Sequence, residues 1–212
     1  MSQCGASFEF YYFVLTWPES LCNLDTKPCC YPKKGGKPAA DFIIHGLWPN
    51  FRNGSFPTYC DPKSPYDRKQ LSSFIGSMKK YWPSMSCPRN DGTRFWSHEW
   101  VKHGTCSKSV LDQRNYFLTT LNLRMKVNIL LALKRAGIEP NGKSYSLTAM
   151  KSAITRAIGY TPNIKCSENK WEQFQLHEVY FCVDINSHLM PCAAQGFEDH
   201  CGGNTEIYFH KF

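Results

Sequence analysis

The chain has 212 residues, of which 42% are apolar and 20% are charged. This length fits a single domain with its own core, and the composition excludes an intrinsically disordered chain. No stretch approaches the roughly 20 consecutive apolar residues of a transmembrane helix, so we expect no membrane partner. The formal net charge of +8 favours polyanionic partners such as nucleic acid.

Eleven cysteines are spread along the chain, and no two of them have the two-residue spacing of a zinc knuckle. Cysteines scattered in this way are typical of structural disulfides formed in an oxidising compartment. We therefore expect a protein of the secretory pathway, extracellular or vacuolar, whose signal peptide has been removed. A cytosolic protein with free thiols is the alternative. If the protein is secreted, residues 1–7 are the start of the mature chain or an N-terminal remnant. Cys4 is then the cysteine left without a disulfide partner, and residues 8–212 form one domain.

Two strands are predicted near the N-terminus. Phe8–Trp17 is aromatic and β-branched and is followed by Pro18, whereas Asp41–Trp48 is apolar and is ended by Gly46 and Pro49. A turn follows, and it carries the sequon Asn53-Gly54-Ser55, which makes Asn53 a candidate glycosylation site.

Helices are predicted in the middle of the chain by apolar residues at helical spacing and by capping residues. They are a helix that opens at Ser64–Asp67 and ends before Trp82, then Phe95–Cys106, Leu111–Lys126, Asn128–Arg135 and Ser146–Gly159. Strands return at Gln173–Ile185 and Thr205–Phe209. Strands, helices and strands in this order predict an α+β fold with a mostly antiparallel sheet and argue against a doubly wound parallel sheet.

The predicted helix after Phe95 carries two imidazoles, a carboxylate and an ammonium. Side chains three or four residues apart share a helix face. This spacing places four polar side chains together: His98, Glu99, Lys102 and His103. Trp96 and Trp100 flank them, and we expect both to be exposed. A surface helix with ordinary ion pairs is one interpretation. A zinc-protease helix is excluded because the two histidines are five residues apart and diverge by roughly 140° around the axis.

A second candidate histidine, His45, ends the second predicted strand. A lone histidine there is usually structural, but Gly46 leaves its backbone approachable and Trp48 offers a flat ring beside it. The other histidines have no acid–base partner nearby in sequence, and we expect them to be structural or surface residues: His177, His188, His200 and His210.

Two separated histidines with a lysine and a glutamate suggest phosphoryl chemistry without a metal. RNA carries its own nucleophile, the ribose 2′-OH. A general base must take its proton and a general acid must protonate the leaving 5′-oxygen, and histidine suits both roles. Lys102 can stabilise the transition-state charge and Trp48 can stack a base. DNA lacks the 2′-OH, so this mechanism predicts selectivity for RNA.

The two clusters resemble a known pair of motifs. His45-Gly46-Leu47-Trp48-Pro49 and the segment from His98 to Cys106 are similar to the two active-site signatures of the ribonuclease T2 family. Shorter segments resemble the plant S-like branch of that family, so that the likeness covers nearly all of 8–209: Cys29-Cys30-Tyr31-Pro32, Ser64-Pro65-Tyr66-Asp67 and Ala157–Pro162.

The resemblance implies a role for each motif residue. His103 would be the general base and His45 the general acid, Glu99 and Lys102 would stabilise the pentacovalent phosphate, and His98 would contact phosphate. The products would be 2′,3′-cyclic phosphates and then 3′-phosphates, with the histidines exchanging roles in the second step. The expected optimum is acidic, the substrate is single-stranded RNA, and no cofactor or metal is expected.

The resemblance also implies an α+β fold, expected here as a monomer, and five disulfides: Cys22–Cys29, Cys30–Cys87, Cys60–Cys106, Cys166–Cys201 and Cys182–Cys192. Trp48, Asn50 and Phe95 would contact bases. The first strand of plant members usually ends in glutamines before Trp-Pro, where this chain has Leu15-Thr16. Thr16 therefore stands at a predicted second base pocket whose preference is open.

Three functions remain open from the sequence. An active, metal-independent ribonuclease is favoured because both histidines, Glu99 and Lys102 are intact. A non-catalytic storage, defence or RNA-binding member would be expected to lack a catalytic histidine. A self-incompatibility ribonuclease would cleave in the same way and would also be recognised by a partner F-box protein.

Overall fold

The computed structural model describes residues 8–24, 29–31, 36–88, 90–193, 196 and 198–212. The predicted N-terminal remnant 1–7, including Cys4, lies outside the described residues. The strands are Phe10–Thr16 (β1), Ile43–Asn50 (β2), Ser144–Ser146 (β3), Asn163–Glu168 (β4), Phe174–Val183 (β5), Leu189–Met190 (β6) and Glu206–Tyr208 (β7). The α-helices are Pro18–Cys22 (α1), Ile75–Tyr81 (α2), Thr93–Lys102 (α3), Gln113–Lys126 (α4), Ile129–Arg135 (α5) and Leu147–Ile158 (α6).

The described strands form one sheet in the order β2-β1-β5-β7-β3, with β4 and β6 also paired to β5. Every pairing is antiparallel except the short contact between β5 and β7. The predicted α+β class with a mostly antiparallel sheet is therefore confirmed. β2 continues through Gly46 and Pro49, where the sequence predicted its end, because an edge strand tolerates a proline that donates no hydrogen bond.

The helical segment between 64 and 107 is less regular than predicted. A 3₁₀ helix, Arg68–Phe74, precedes α2. The predicted helix Phe95–Cys106 is wrong at its end: α3 stops at Lys102, His103 caps it, and a second 3₁₀ helix covers Gly104–Ser107. A side chain at Gly104 would overlap the Trp100 ring, so the tight packing behind this turn requires glycine.

One hydrophobic core joins the sheet and the helices, and it is rich in aromatic side chains. Trp96 and Trp100, expected to be exposed, are instead among the fully buried tryptophans, together with Trp17 and Trp82. Burial of these rings is favourable because each removes a large apolar area from water while its N–H finds an acceptor inside the protein.

Five disulfides pair all ten cysteines of the described residues. They join Cys22–Cys29, Cys30–Cys87, Cys60–Cys106, Cys166–Cys201 and Cys182–Cys192, the pairs that the family resemblance implies. The third bridge attaches the 3₁₀ helix after α3 to the loop before Asp61, and the backbone N–H of Tyr59 donates to the carbonyl of Lys102 nearby. The end of α3 is thereby fixed covalently and by a hydrogen bond.

Candidate active site

A β-bulge in β2 places His45. Val14 of β1 pairs with Gly46 and Leu15 pairs with Ile44, so His45 is the extra residue without a partner in this register. Residues 45 and 48 would face opposite sides of a regular strand, because their separation is odd. The bulge removes this conflict, and both His45 and Trp48 line one cavity.

Buried side chains hold the bulge from behind. The Nε1–H of Trp82 donates to the carbonyl of His45 at 3.0 Å, and the carbonyl of Trp82 in turn accepts the Nε1–H of Trp96 at 2.8 Å. The hydroxyl of Tyr116 donates to the carbonyl of Leu47 at 2.8 Å. The irregular backbone around the histidine is thus satisfied by core side chains where ladder hydrogen bonds are interrupted.

Trp48 joins β2 to α3. Its ring stacks on His103, with centroids 5.2 Å apart and planes 24° apart, and its Nε1–H donates to Oε2 of Glu99 at 2.9 Å. A Cβ at Gly46 would overlap both the Glu99 carboxylate and the Trp48 indole. Glycine at 46 is therefore required by the close approach of the strand to the helix.

These residues surround a cavity of about 610 Å³. The motif residues that line it come from β2 and from the face of α3: His45, Trp48, Asn50, His98, Glu99, Lys102 and His103. Aromatic and small residues complete the wall: Tyr12, Phe56, Phe95, Tyr180, Asn53, Gly54 and Gly196. The two sequence clusters, separated by about fifty residues, therefore meet at one site.

Burial keeps His103 neutral. The residue is 6% exposed, and desolvation followed by the charges of Lys102, His98 and His45 lowers its pKa to about 3. Its Nδ1 is buried and has no hydrogen-bond partner among the described residues. Protonation would place a positive charge on a buried ring, and burial disfavours that charge, which explains the direction of the shift.

His45 has the opposite protonation preference. Burial alone would lower its pKa, but the hydrogen bond and the negative charge of Glu178 outweigh that effect, so the pKa is raised. Glu178 also responds to the pair. Its own burial opposes ionisation, yet the hydrogen bond to Nδ1 of His45 and the charge of that ring hold the pKa of the carboxyl well below its usual range.

Glu99 is the second buried carboxyl of the site. Desolvation raises its pKa to about 7, although His45, the Trp48 N–H and Lys102 each favour the ionised form. His98 lies at the cavity mouth, where desolvation and the Lys102 charge lower its pKa. The site thus combines a neutral buried imidazole, a charged imidazole and a carboxyl that titrates near neutrality.

Four other predicted residues lie at different depths. Asn50 lines the cavity, and its amide N–H₂ donates to the carbonyl of Trp48 at 2.8 Å. Phe95 faces His45, with ring centroids 5.9 Å apart. Asn53 is exposed in a turn at the cavity rim. Thr16 is buried, its Oγ1 lies 3.5 Å from Oε1 of Glu178, and it is not among the residues that line this cavity, so its assignment to a second base pocket stays a prediction.

Sequence reasoning missed Glu178, Tyr12, Tyr180 and Phe56. Glu178 lies between His177 and Val179 on the central strand β5, and a carboxylate in the middle of a buried strand was the available signal. Buried carboxylates need partners, and that rule would have prompted a search for a cation or an imidazole. Tyr12 and Tyr180 carry no comparable signal, because aromatic residues on strands are most often core, and Phe56 lies in a loop after β2.

Among the described residues, no group of three or more His, Cys, Asp or Glu side chains is arranged to hold a metal ion. In the same part of the chain, no helix has both the length and the apolar character needed to cross a membrane.

Residues 8–192 match the sequence profile of the Ribonuclease T2 family. The chain belongs to this family. It is 50% identical over 212 residues to "Ribonuclease 1" of Arabidopsis thaliana, a match that covers 100% of this chain and 90% of that protein. It is 52% identical over 188 residues to "Extracellular ribonuclease LE" of Solanum lycopersicum, covering 87% of this chain and 80% of that one.

The fold is also similar to that of a solved structure. The crystal structure of RNase NT in complex with 5′-AMP superposes with a TM-score of 0.90 at 44% identity and covers 97% of this chain and 100% of that chain. These relatives place the chain in the plant S-like branch of the family. It is a T2-type RNA endonuclease.

Proposed function

We propose that this ribonuclease T2 cleaves single-stranded RNA by transphosphorylation, with His103 as the general base and His45 as the general acid. One observation carries the assignment: the two imidazoles line the same cavity, and the pKa of His103 is lowered to about 3 whereas that of His45 is raised. At mildly acidic pH the first is therefore neutral and able to accept a proton, and the second is charged and able to donate one.

The protons balance over two steps. In the first, His103 takes the proton of the 2′-OH, the 2′-oxygen attacks phosphorus, and the 5′-oxygen leaves with the proton of His45. The products are a 2′,3′-cyclic phosphate and a free 5′-OH. In the second, neutral His45 takes a proton from water, hydroxide attacks the cyclic phosphate, and protonated His103 returns its proton to the 2′-oxygen to give a 3′-phosphate.

The remaining polar residues stabilise the phosphorane. The Lys102 ammonium supplies positive charge beside the transferring phosphate, and His98 contacts a phosphate oxygen at the cavity mouth. Glu99, whose pKa is raised to about 7, is largely protonated under acidic conditions and can donate a hydrogen bond to a phosphoryl oxygen. An un-ionised carboxyl adds no negative charge to the site, which favours binding of a polyanion.

The base contacts are Trp48, Asn50 and Phe95. We propose further that residues 8–212 act as one domain and as a monomer, without metal or cofactor. The single core supports one domain. Five disulfides support passage through the secretory pathway, since such bonds persist in oxidising compartments.

The test incubates the purified protein with total RNA and with single-stranded DNA in EDTA, from about pH 3 to about pH 9. Wild type is expected to cut RNA alone and to leave 2′,3′-cyclic ends, and His103→Ala and His45→Ala are expected to lower the rate by about 10² or more. Cleavage that requires a divalent cation, or that persists in both variants, would contradict the assignment. Intact RNA at every pH would favour a non-catalytic member.

A further inference from the structure

We infer that Glu178 is a positioning residue of the reaction, which holds the ring of His45 by Nδ1 so that only Nε2 exchanges protons with the substrate. This inference rests on the proposed role of His45 as general acid. It assigns a function to a carboxylate on β5 that lies outside both family motifs. The arrangement pairs a buried carboxylate with a partly exposed imidazole across β1, since β1 separates β2 from β5 in the sheet.

The carboxylate is oriented at both oxygens. Its side chain is 3% exposed, Oε1 accepts a hydrogen bond from Nδ1 of His45, and Oε2 accepts the hydroxyl of Tyr180 at 2.7 Å. The ammonium of Lys165 on β4 lies 3.6 Å from Oε2. A carboxylate fixed in this way cannot turn without losing several charge-assisted hydrogen bonds, so it restrains the imidazole that it binds.

The other ionisable groups around the pair are few. Glu99 on α3 faces His45 and favours its charged form, whereas Lys165 opposes it. His177 precedes Glu178 on β5, and its Nδ1 lies 2.7 Å from the hydroxyl of Ser20. His98 and His103 face His45 from α3 and its cap, and the pKa of each is lowered mainly by desolvation, then by the Lys102 charge, with a smaller effect of His45.

A fixed Nδ1 contact determines which tautomer each step uses. In charged His45, the Nδ1–H donates to Glu178 and the Nε2–H points to the leaving 5′-oxygen. After Nε2 has lost its proton, Nδ1 keeps its own and still donates it to the Glu178 carboxylate. Nε2 can then accept a proton from the water of the second step. The ring therefore needs no rotation between the two halves of the reaction.

The His45–Glu178 pair also sets the upper pH limit of the transphosphorylation step, because His45 must be protonated in that step. Glu178→Gln keeps an acceptor for Nδ1 but removes the charge. We expect the basic limb of kcat/KM for RNA cleavage to move to lower pH by about one unit, so that activity above the limb falls about tenfold. Lys165→Met removes the opposing charge and should move the same limb to higher pH.

Two further variants complete the experiment. Glu178→Leu removes both the charge and the acceptor, and we expect kcat to fall about tenfold or more even on the acidic plateau. Glu168→Gln removes a carboxylate from an exposed position on β4 and should leave the pH profile unchanged. Thermal melting of every variant, and titration of the His45 ring by nitrogen NMR, separate a change of pKa from a loss of fold.

The outcomes distinguish this inference from the function on which it rests. If wild type does not cut RNA, the proposed function is overturned. If wild type cuts RNA and the basic limb is the same in Glu178→Gln and Lys165→Met, Glu178 is only structural and the inference is overturned. Opposite displacement of the limb in the two variants supports it. If Glu178→Gln is unfolded, nitrogen NMR of neutral His45 in wild type decides the question, because a proton on Nε2 and not on Nδ1 would overturn the inference.

Discussion

Trp48 lies stacked on His103 and at the same time donates its indole N–H to Glu99. The imidazole of His103, the proposed general base, therefore covers one face of the indole. A nucleobase can stack only on the opposite face. Because the contact connects the proposed base-binding residue to the proposed catalytic residues, we expect a displacement of the Trp48 ring to affect both binding and proton transfer.

Gly46→Ala tests this packing. The added methyl would overlap the Glu99 carboxylate and the indole, so we expect kcat/KM to fall by about 10² as these groups move apart. Gly76→Ala on α2 is the matched control, since its Cβ would meet nothing within 4 Å. Equal activity of the two variants on RNA would show that the tight approach at position 46 does not matter.

The second prediction concerns pH. His103 must be neutral, and its pKa is lowered to about 3, so cleavage should persist well into the acid range. His45 must be charged, and its pKa is raised, so activity should decline only above the ordinary range of histidine. Initial rates on a short RNA at constant ionic strength measure both limbs, and an acidic limb near pH 6.5, the usual histidine pKa, would contradict the assignment of His103.

The same shift makes a stability prediction of known sign. Because the unfolded chain binds a proton at His103 more readily than the folded protein, the free energy of unfolding should fall as the pH drops from the usual histidine pKa toward 3. His103→Phe removes this proton-binding site and should be less sensitive to acid over that window. Urea unfolding at several pH values measures the difference.

The third prediction concerns the bridge beside the site. Cys60 and Cys106 are 46 residues apart, so replacing both with serine should lower the free energy of unfolding by about 4 kcal/mol on the chain-entropy model. It should also reduce kcat/KM, because the bridge fixes the segment after His103.

The double serine variant of Cys22 and Cys29 is the control for that experiment. Its loop spans only 7 residues, and the same relation gives about 2 kcal/mol. Urea midpoints and rates measured well below both transitions separate the two effects. A larger loss of activity in the control than in the Cys60–Cys106 variant would exclude a special role for the bridge near His103.

The fourth prediction follows from the burial of Thr16. Since this residue lies under the sheet surface beside Glu178, Thr16→Val should leave base preference unchanged. Phe95→Ala removes a ring that faces the cavity and should change it. Cleavage of a set of dinucleotides measures both, and an altered base preference in Thr16→Val alone would support a second base pocket at Thr16.

Local signals in the sequence predicted much of the fold. The side chains of Asn128 and Ser146 accept the expected capping hydrogen bonds, and Gly159 ends α6 with a φ of 88°. Such features depend only on residues nearby in the sequence. Capping side chains accept hydrogen bonds from the backbone N–H groups at a helix start, which have no acceptor within the helix.

Long-range packing explains what could not be predicted. Glu178 meets His45 across 133 residues, and nothing in the local sequence of either indicates the other. Trp96 and Trp100 seemed to flank a polar face, but their N–H groups find carbonyls at Trp82 and Ser64 inside the core. These partners come from separate elements, so only the folded chain brings them together.

The bulge at His45 has a consequence for the tolerance of β2 to changes in length. Deleting Gly46 would remove the bulge and let the strand pair regularly with β1, so that His45 would take the position opposite Val14. A Cβ at that position overlaps the Glu99 carboxylate and the Trp48 indole. Conservative substitutions can be absorbed by repacking, but such a deletion would push His45 against the residues that it faces across the cavity. The spacing of this motif is therefore expected to be less tolerant of change than most of its residues.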